Sequence, residues 1–330
     1  MKKRMKRYIV VNLDPEMHSL RNQDIEKLKV VNARFIELRQ KDKMVPLLKK
    51  ADAILFTKTF ISSDIIQNLE KCRIIVRFGT GLDNIDVRAA TDKGIMVSRV
   101  VDFCTEEVSN HAFMLLLACS RKLKKFSFTG VCDGPIDDFR HIGSIYDETL
   151  GLIGFGTIAR SLAKKAKCSG MKILAYDPFV EKKVFEKYGG EKVSLKKILQ
   201  ESDYVSLHCP LTEHTHHLIG EKELKLMKKT AYLINTSRGA LIDEKMLIVA
   251  LQKNWIAGAG LDVFEKEPPE QDNPLLHMEN VICTPHYAYY SDKAIETLKT
   301  IAVDEIIRAM KGQIPRNLYN PAVLGMKKRR

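Results

Sequence analysis

The chain lacks a stretch of apolar residues long enough to cross a bilayer. Its basic start, Met1-Lys2-Lys3-Arg4-Met5-Lys6-Arg7, is followed only by the short apolar run Tyr8 to Val11. That run is too short for the core of a signal peptide. No CxxC pair is present. The seven cysteines, Cys72, Cys104, Cys119, Cys132, Cys168, Cys209 and Cys283, are odd in number and scattered. This argues against a disulfide framework and fits a reducing compartment, so a cytoplasmic location is expected. Low-complexity tracts and short repeats are also missing.

What is present is ordinary for a soluble globular protein: 45% hydrophobic and 29% charged residues over 330 positions. That length predicts two domains. The net charge is +13, yet the lysines run along the whole chain and only the two ends form basic clusters. The pattern argues against a nucleic-acid face and describes a general field that draws in small anions.

One stretch organises the rest. Thr149-Leu150-Gly151-Leu152-Ile153 reads as a buried strand, and Gly154-Phe155-Gly156 as a tight turn that a ligand can approach closely. Ile158, Leu162, Ala163 and Ala166 then repeat at helical spacing, and Lys172 to Tyr176 forms a second strand closed by Asp177. Strand, glycine turn, helix, strand and acid make the dinucleotide-binding fingerprint. The helix start offers N–H groups to a pyrophosphate. Asp177 can accept from the ribose hydroxyls and would repel a 2′-phosphate, which points to NAD. Ala159 stands where a third glycine is usual, a position that needs only a small side chain.

Before this unit, strands are expected at Tyr8 to Leu13, Ala53 to Phe56, Ile74 to Val76 and Gly94 to Val97, with helices between them. A long amphipathic helix from Thr105 to Leu123 and an irregular polar arm, Lys124 to Glu148, follow. After Asp177, strands are expected at Tyr204 to Leu207, Ala231 to Ile234, Ala259 to Val263 and Val281 to Cys283. The last helix, Ala294 to Met310, lies too far along to join that sheet and should pack on the first unit. The fold class is therefore α/β: two doubly wound parallel-sheet domains, a Rossmann NAD-binding domain (103–288) inserted in a flavodoxin-like substrate domain (1–102 and 289–330).

Arg238, Glu267 and His286 each fall just after an expected strand of the second sheet, so they can share the cleft beyond its carboxyl ends. Taken alone, a histidine after Thr-Pro is commonly a turn residue, and Glu267 before Pro268 a solvated loop acid. The wider context changes that. The runs Ile74 to Asp86, His208-Cys209-Pro210-Leu211-Thr212 and His286-Tyr287-Ala288-Tyr289-Tyr290-Ser291 resemble the D-isomer-specific 2-hydroxyacid dehydrogenases, in particular the branch of the C-terminal binding proteins. The resemblance covers about Ile54 to Pro321.

It implies that Arg238, Glu267 and His286 act together on a small anionic 2-hydroxy or 2-keto acid. His286 would be the general acid and base, and Glu267 would favour the imidazolium and fix its ring. Arg238 would grip the substrate carboxylate, with Thr80 and Gly81 at its other end. Besides Gly154, Gly156 and Asp177, the resemblance puts Thr157, Ile158, Cys209, Pro210, Thr215, Thr236, Ser237, Arg238 and Asp262 on the cofactor. It also implies a homodimer through the helix from Thr105. Two alternatives stand beside hydride transfer: an NAD(H)-responsive protein-binding module, and a phosphoglycerate dehydrogenase. Phe56-Thr57-Lys58-Thr59 offers one cation for a substrate phosphate, which argues against the latter, and the end at Arg330 leaves an added regulatory domain unexpected. Thr157 stands where the family often has an arginine. His214, His216 and His217 have no neighbouring carboxylate–cysteine set in sequence, so no metal is expected. Cys209 lacks a partnered base and is expected to pack.

Overall fold

The computed structural model describes residues 7–39, 44–126 and 142–326. The chain divides into two compact units, Met1–Phe103 with Ser291–Arg330, and Cys104–Tyr290.

Unit 1 holds five parallel strands: β1 (Tyr8–Asn12), β2 (Ala33–Glu37), β3 (Ala53–Phe56), β4 (Ile74–Arg77) and β5 (Met96–Arg99). Their order is β2-β1-β3-β4-β5, the flavodoxin-like arrangement. The central strand β3 reads Ala-Ile-Leu-Phe and all four residues are buried, as a parallel strand covered on both faces requires. Helix Asp292–Met310 returns to this unit with Leu298, Ala302, Val303 and Ile306 buried. Its Glu305 carboxylate accepts from Ser98 Oγ at 3.0 Å, tying the helix to β5. The sequence reading missed β2, an edge strand with arginine and glutamate among its five residues.

Unit 2 holds seven: β6 (Thr149–Ile153), β7 (Lys172–Tyr176), β8 (Glu191–Lys192), β9 (Tyr204–Leu207), β10 (Tyr232–Asn235), β11 (Gly258–Leu261) and β12 (Val281–Cys283). They run parallel in the order β12-β11-β10-β9-β6-β7-β8, a Rossmann sheet whose order reverses between β6 and β9. Helix Thr157–Cys168 buries Ala159, Leu162, Ala163 and Ala166 against the sheet. Helix Thr105–Ser120 buries Val108, Ala112, Leu115 and Leu116. Gly260 of β11 lets Leu115 come down on the strand, since a Cβ there would stand 3.0 Å from Leu115 Cβ. This helix ends sooner than its apolar pattern suggests. Lys122 takes a left-handed φ of 49°, and a short helix, Leu123–Phe126, follows the break. Most of the expected polar arm lies outside the described residues.

Candidate active site

The glycine turn follows β6 at the point where the strand order reverses. Gly154 has φ +85°, and a Cβ there would sit 2.6 Å from the Cys209 nitrogen and 2.7 Å from the His208 carbonyl carbon. The turn is thus pressed against the segment that follows β9. Gly156 differs: a Cβ on it would meet nothing within 4 Å, so its missing side chain serves space outside the protein's own packing. Gly156 caps helix Thr157–Cys168, whose first turn carries no acid. Ala159 at the third position of the motif is wholly buried. The Asp177 carboxylate accepts from Phe155 N at 2.9 Å and from Phe179 N at 2.9 Å, which fixes the acid beside the turn. Thr236 Oγ1 is a buried hydroxyl with no hydrogen-bond partner among the described residues. An open helix start, an acid at the second strand and an orphaned hydroxyl fit a bound dinucleotide.

Arg238, Glu267 and His286 follow the adjacent strands β10, β11 and β12. Asn235, fully buried at the end of β10, shapes the first loop: its Nδ2 donates to Arg238 O at 2.8 Å and its Oδ1 accepts from Ser237 N at 3.0 Å. Ser237 Oγ donates to Cys209 O at 2.7 Å. Gly239 lies under the Phe264–Glu265 peptide, which brings the Arg238 loop and the Glu267 loop together. His286 Nδ1 is 2.6 Å from Glu267 Oε2. Glu267 Oε1 accepts from Phe264 N at 3.2 Å. Burial alone would raise the Glu267 carboxyl. The hydrogen bond and charge of His286, the Phe264 N–H and the Arg238 guanidinium outweigh it and hold the group below the usual range. The trio can therefore present a lasting carboxylate, a ring oriented by it and a permanent cation at one end of one sheet.

Asp262, 1% exposed, is the structural centre of the loop that carries His286. Its Oδ1 accepts from Thr284 Oγ1 at 2.6 Å and Tyr287 N at 3.0 Å, and its Oδ2 from Ala288 N at 2.9 Å. His111, from helix Thr105–Ser120, joins them with Nε2 at 2.9 Å from Thr284 Oγ1. The sequence reading missed both His111 and Thr284. His111 neighbours Ala112 inside an apolar stripe and reads as packing; no local signal links it to a loop 173 residues later. Pro210 O accepts from Thr215 Oγ1 at 2.7 Å, closing the turn after β9. Burial pushes the Cys209 thiol up to about 11, which fits packing rather than attack.

His217 meets an acid that sequence spacing hides: its Nε2 is 2.9 Å from Glu265 Oε1. With His216 they form a possible three-donor group. The two imidazoles stack at 3.9 Å with planes 29° apart, however, so one ion cannot lie in both ring planes at bonding distance. In unit 1, Thr80 and Gly81 follow β4. Thr80 Oγ1 donates to Val100 O at 2.9 Å, and Arg77 Nη1 donates to Gly81 O at 2.9 Å. Asp14 accepts from the N–H groups of Thr57, Lys58 and Thr59 at 2.5, 2.8 and 3.0 Å, which pins the loop after β3.

Residues 113–288 match the model of the D-isomer specific 2-hydroxyacid dehydrogenase NAD binding domain. A glyoxylate reductase of Korarchaeum cryptofilum is 41% identical over 287 residues, covering 85% of this chain and 86% of the relative. The chain belongs to the D-isomer-specific 2-hydroxyacid dehydrogenases. It is an NAD-dependent oxidoreductase that interconverts a D-2-hydroxy acid and a 2-keto acid. Solved structures agree on the architecture. D-lactate dehydrogenase from Aquifex aeolicus, complexed with NAD and lactic acid, superposes with a TM-score of 0.79 at 29% identity, over 92% of this chain and 96% of that one. An acyclic imino acid reductase in complex with NADPH and D-Arg gives 0.83 at 30% identity, over 95% and 100%. Neither a protein-binding module nor a phosphoglycerate dehydrogenase is favoured over this reading. Among the described residues no helix is long and apolar enough to cross a membrane.

Proposed function

We propose that the physiological reaction is reduction of a small 2-keto acid of the glyoxylate class, with His286 as proton donor. The observation that carries the proposal is the 2.6 Å pair of His286 Nδ1 and Glu267 Oε2 beyond β12 and β11. A carboxylate on Nδ1 leaves Nε2 as the nitrogen that gives a proton to the forming alkoxide and recovers it in the oxidation direction. Arg238 would bind the substrate carboxylate and polarise the carbonyl. Thr80 and Gly81, at the end of β4, are proposed to bind carboxylate through backbone N–H groups, which makes unit 1 the substrate domain.

NAD, when bound, supplies or accepts the hydride. Gly154, Gly156, Thr157 and Ile158 would hold its pyrophosphate, and Asp177 its ribose. Cys209, Pro210, Thr215, Thr236, Ser237, Arg238 and Asp262 would line the remainder. The orphaned Thr236 hydroxyl supports this, as does Oδ2 of Asp262, which accepts from Ala288 and has capacity for one more donor. The small-acid class is supported by the glyoxylate reductase at 41% identity. A homodimer is proposed through helix Thr105–Ser120, which leaves Met114 44% exposed, and the short helix after it, which leaves Leu123 55% exposed. A cytoplasmic location is proposed on the six free cysteines found among the described residues. Loss of NADH absorbance with glyoxylate, pyruvate and bulkier 2-keto acids tests the substrate class. Preference for a bulky acid over glyoxylate would contradict it.

A further inference from the structure

Thr284 Oγ1 donates to Asp262 Oδ1 at 2.6 Å. A hydroxyl has one proton, so towards His111 Nε2, 2.9 Å away, it can only accept. His111 is thereby fixed as the Nε2–H tautomer. Asp262 passes the constraint on. Its carboxylate takes the N–H groups of Tyr287 and Ala288, and its carbonyl takes the N–H of His286 at 2.8 Å. These bonds hold His286 at a φ of 52°, a left-handed conformation uncommon and costly outside glycine. The charged group facing His111 is Asp262, with Oδ1 at 3.5 Å; the Tyr287 ring stands edge-on at 5.9 Å. Burial pushes the His111 imidazole below its usual range while Asp262 pulls the other way, so the ring serves as a neutral donor near pH 7.

We propose that His111 and Thr284 form a positioning relay that sets the conformation of His286 through Asp262. The proposal rests on His286 being the acid and base. Neither residue touches substrate in this account. Their task is to hold a strained turn in the one arrangement that places the imidazole against Glu267.

The test is steady-state reduction of glyoxylate by NADH for His111→Phe, Thr284→Val and the double variant. His111→Gln and Thr284→Ser, which keep a donor and a hydroxyl, serve as rescues, and His286→Asn as the control. Thermal melting and NADH fluorescence titration establish that each variant is folded and binds cofactor. Displacing a reacting group by about 1 Å costs on the order of 10²-fold, so each disruptive variant should lose kcat on that scale with KM little changed. The double variant should be no worse than the poorer single one, because the two act as a unit. The rescues should recover most of the rate. If both disruptive variants keep wild-type kcat, or their losses multiply, while His286→Asn is inactive, the relay is wrong and the acid–base reading stands. If His286→Asn itself turns over, the acid–base reading falls and the relay's catalytic role falls with it.

Discussion

Gly239 and the Phe264 carbonyl are in such close contact that a Cβ on Gly239 would overlap it. This contact joins the loop of Arg238 to the loop of Glu267. Gly239→Ala must push the Phe264–Glu267 segment away. Overpacking of this kind costs about 1–3 kcal/mol. Calorimetry should show a lower Tm, and turnover should fall more than NADH affinity, because the displaced groups serve the reacting carbon. Wild-type stability and turnover in Gly239→Ala would mean that the two loops are not coupled through this contact.

The two glycines of the turn should behave differently. Gly154→Ala strains a φ of +85° and collides with Cys209 backbone, so this variant should be strongly destabilised. Gly156→Ala meets nothing within 4 Å and should melt like the parent. Its NADH dissociation constant should nevertheless rise, by about tenfold or more, because the new methyl stands where the pyrophosphate approaches. Fluorescence titration with NADH checks this, and an unchanged constant in folded Gly156→Ala would remove the turn from the cofactor site.

NADH should be used better than NADPH. Asp177 is held beside the turn by Phe155 N and Phe179 N, and a 2′-phosphate would meet that carboxylate. Phe179, 95% exposed, offers no compensating charge. The ratio of kcat/KM for the two cofactors decides the matter. Equal or better use of NADPH, the ligand in the imino acid reductase complex, would sink the claim.

Legibility followed how local the signal was. Buried central strands such as Ala53–Phe56 and Tyr204–Leu207 stand out as apolar runs, and the glycine turn stands out because strand, turn, helix and acid agree. Arg238, Glu267 and His286 were legible as strand-end residues within a known pattern. What was hidden is either short and polar or made by distant partners. The edge strands Ala33–Glu37 and Glu191–Lys192 carry charges, because an edge needs little apolar cover. The helix Lys182–Lys187 is mostly charged, with Phe185 its one fully buried residue. His111 with Thr284, and His217 with Glu265, are contacts across 173 and 48 positions that no spacing rule reveals.

The chain should be a homodimer in solution. The apolar stripe on helix Thr105–Ser120 is satisfied within its own unit, so the motive is Met114, left exposed on that helix, and Leu123, left exposed at the start of the short helix that follows. Multi-angle light scattering should give twice the chain mass, and Met114→Glu with Leu123→Glu should shift it towards one. A wild-type monomer at micromolar concentration would contradict the assembly.

The central claim is that Glu267 orients His286 for proton transfer. Glu267 is held below the usual carboxyl range, so it stays ionised well under neutral pH, and reduction should persist into the acid range and fail only as Glu267 itself takes up a proton. Glu267→Gln keeps the shape and removes the ionisable carboxylate that orients the His286 ring. The most direct measurement is therefore kcat/KM for keto-acid reduction against pH in the parent and in Glu267→Gln. The account predicts that the acid-side fall of the parent is absent in Glu267→Gln, whose kcat/KM at neutral pH is lower by about tenfold or more. An unmoved profile would contradict it and place the proton donor elsewhere.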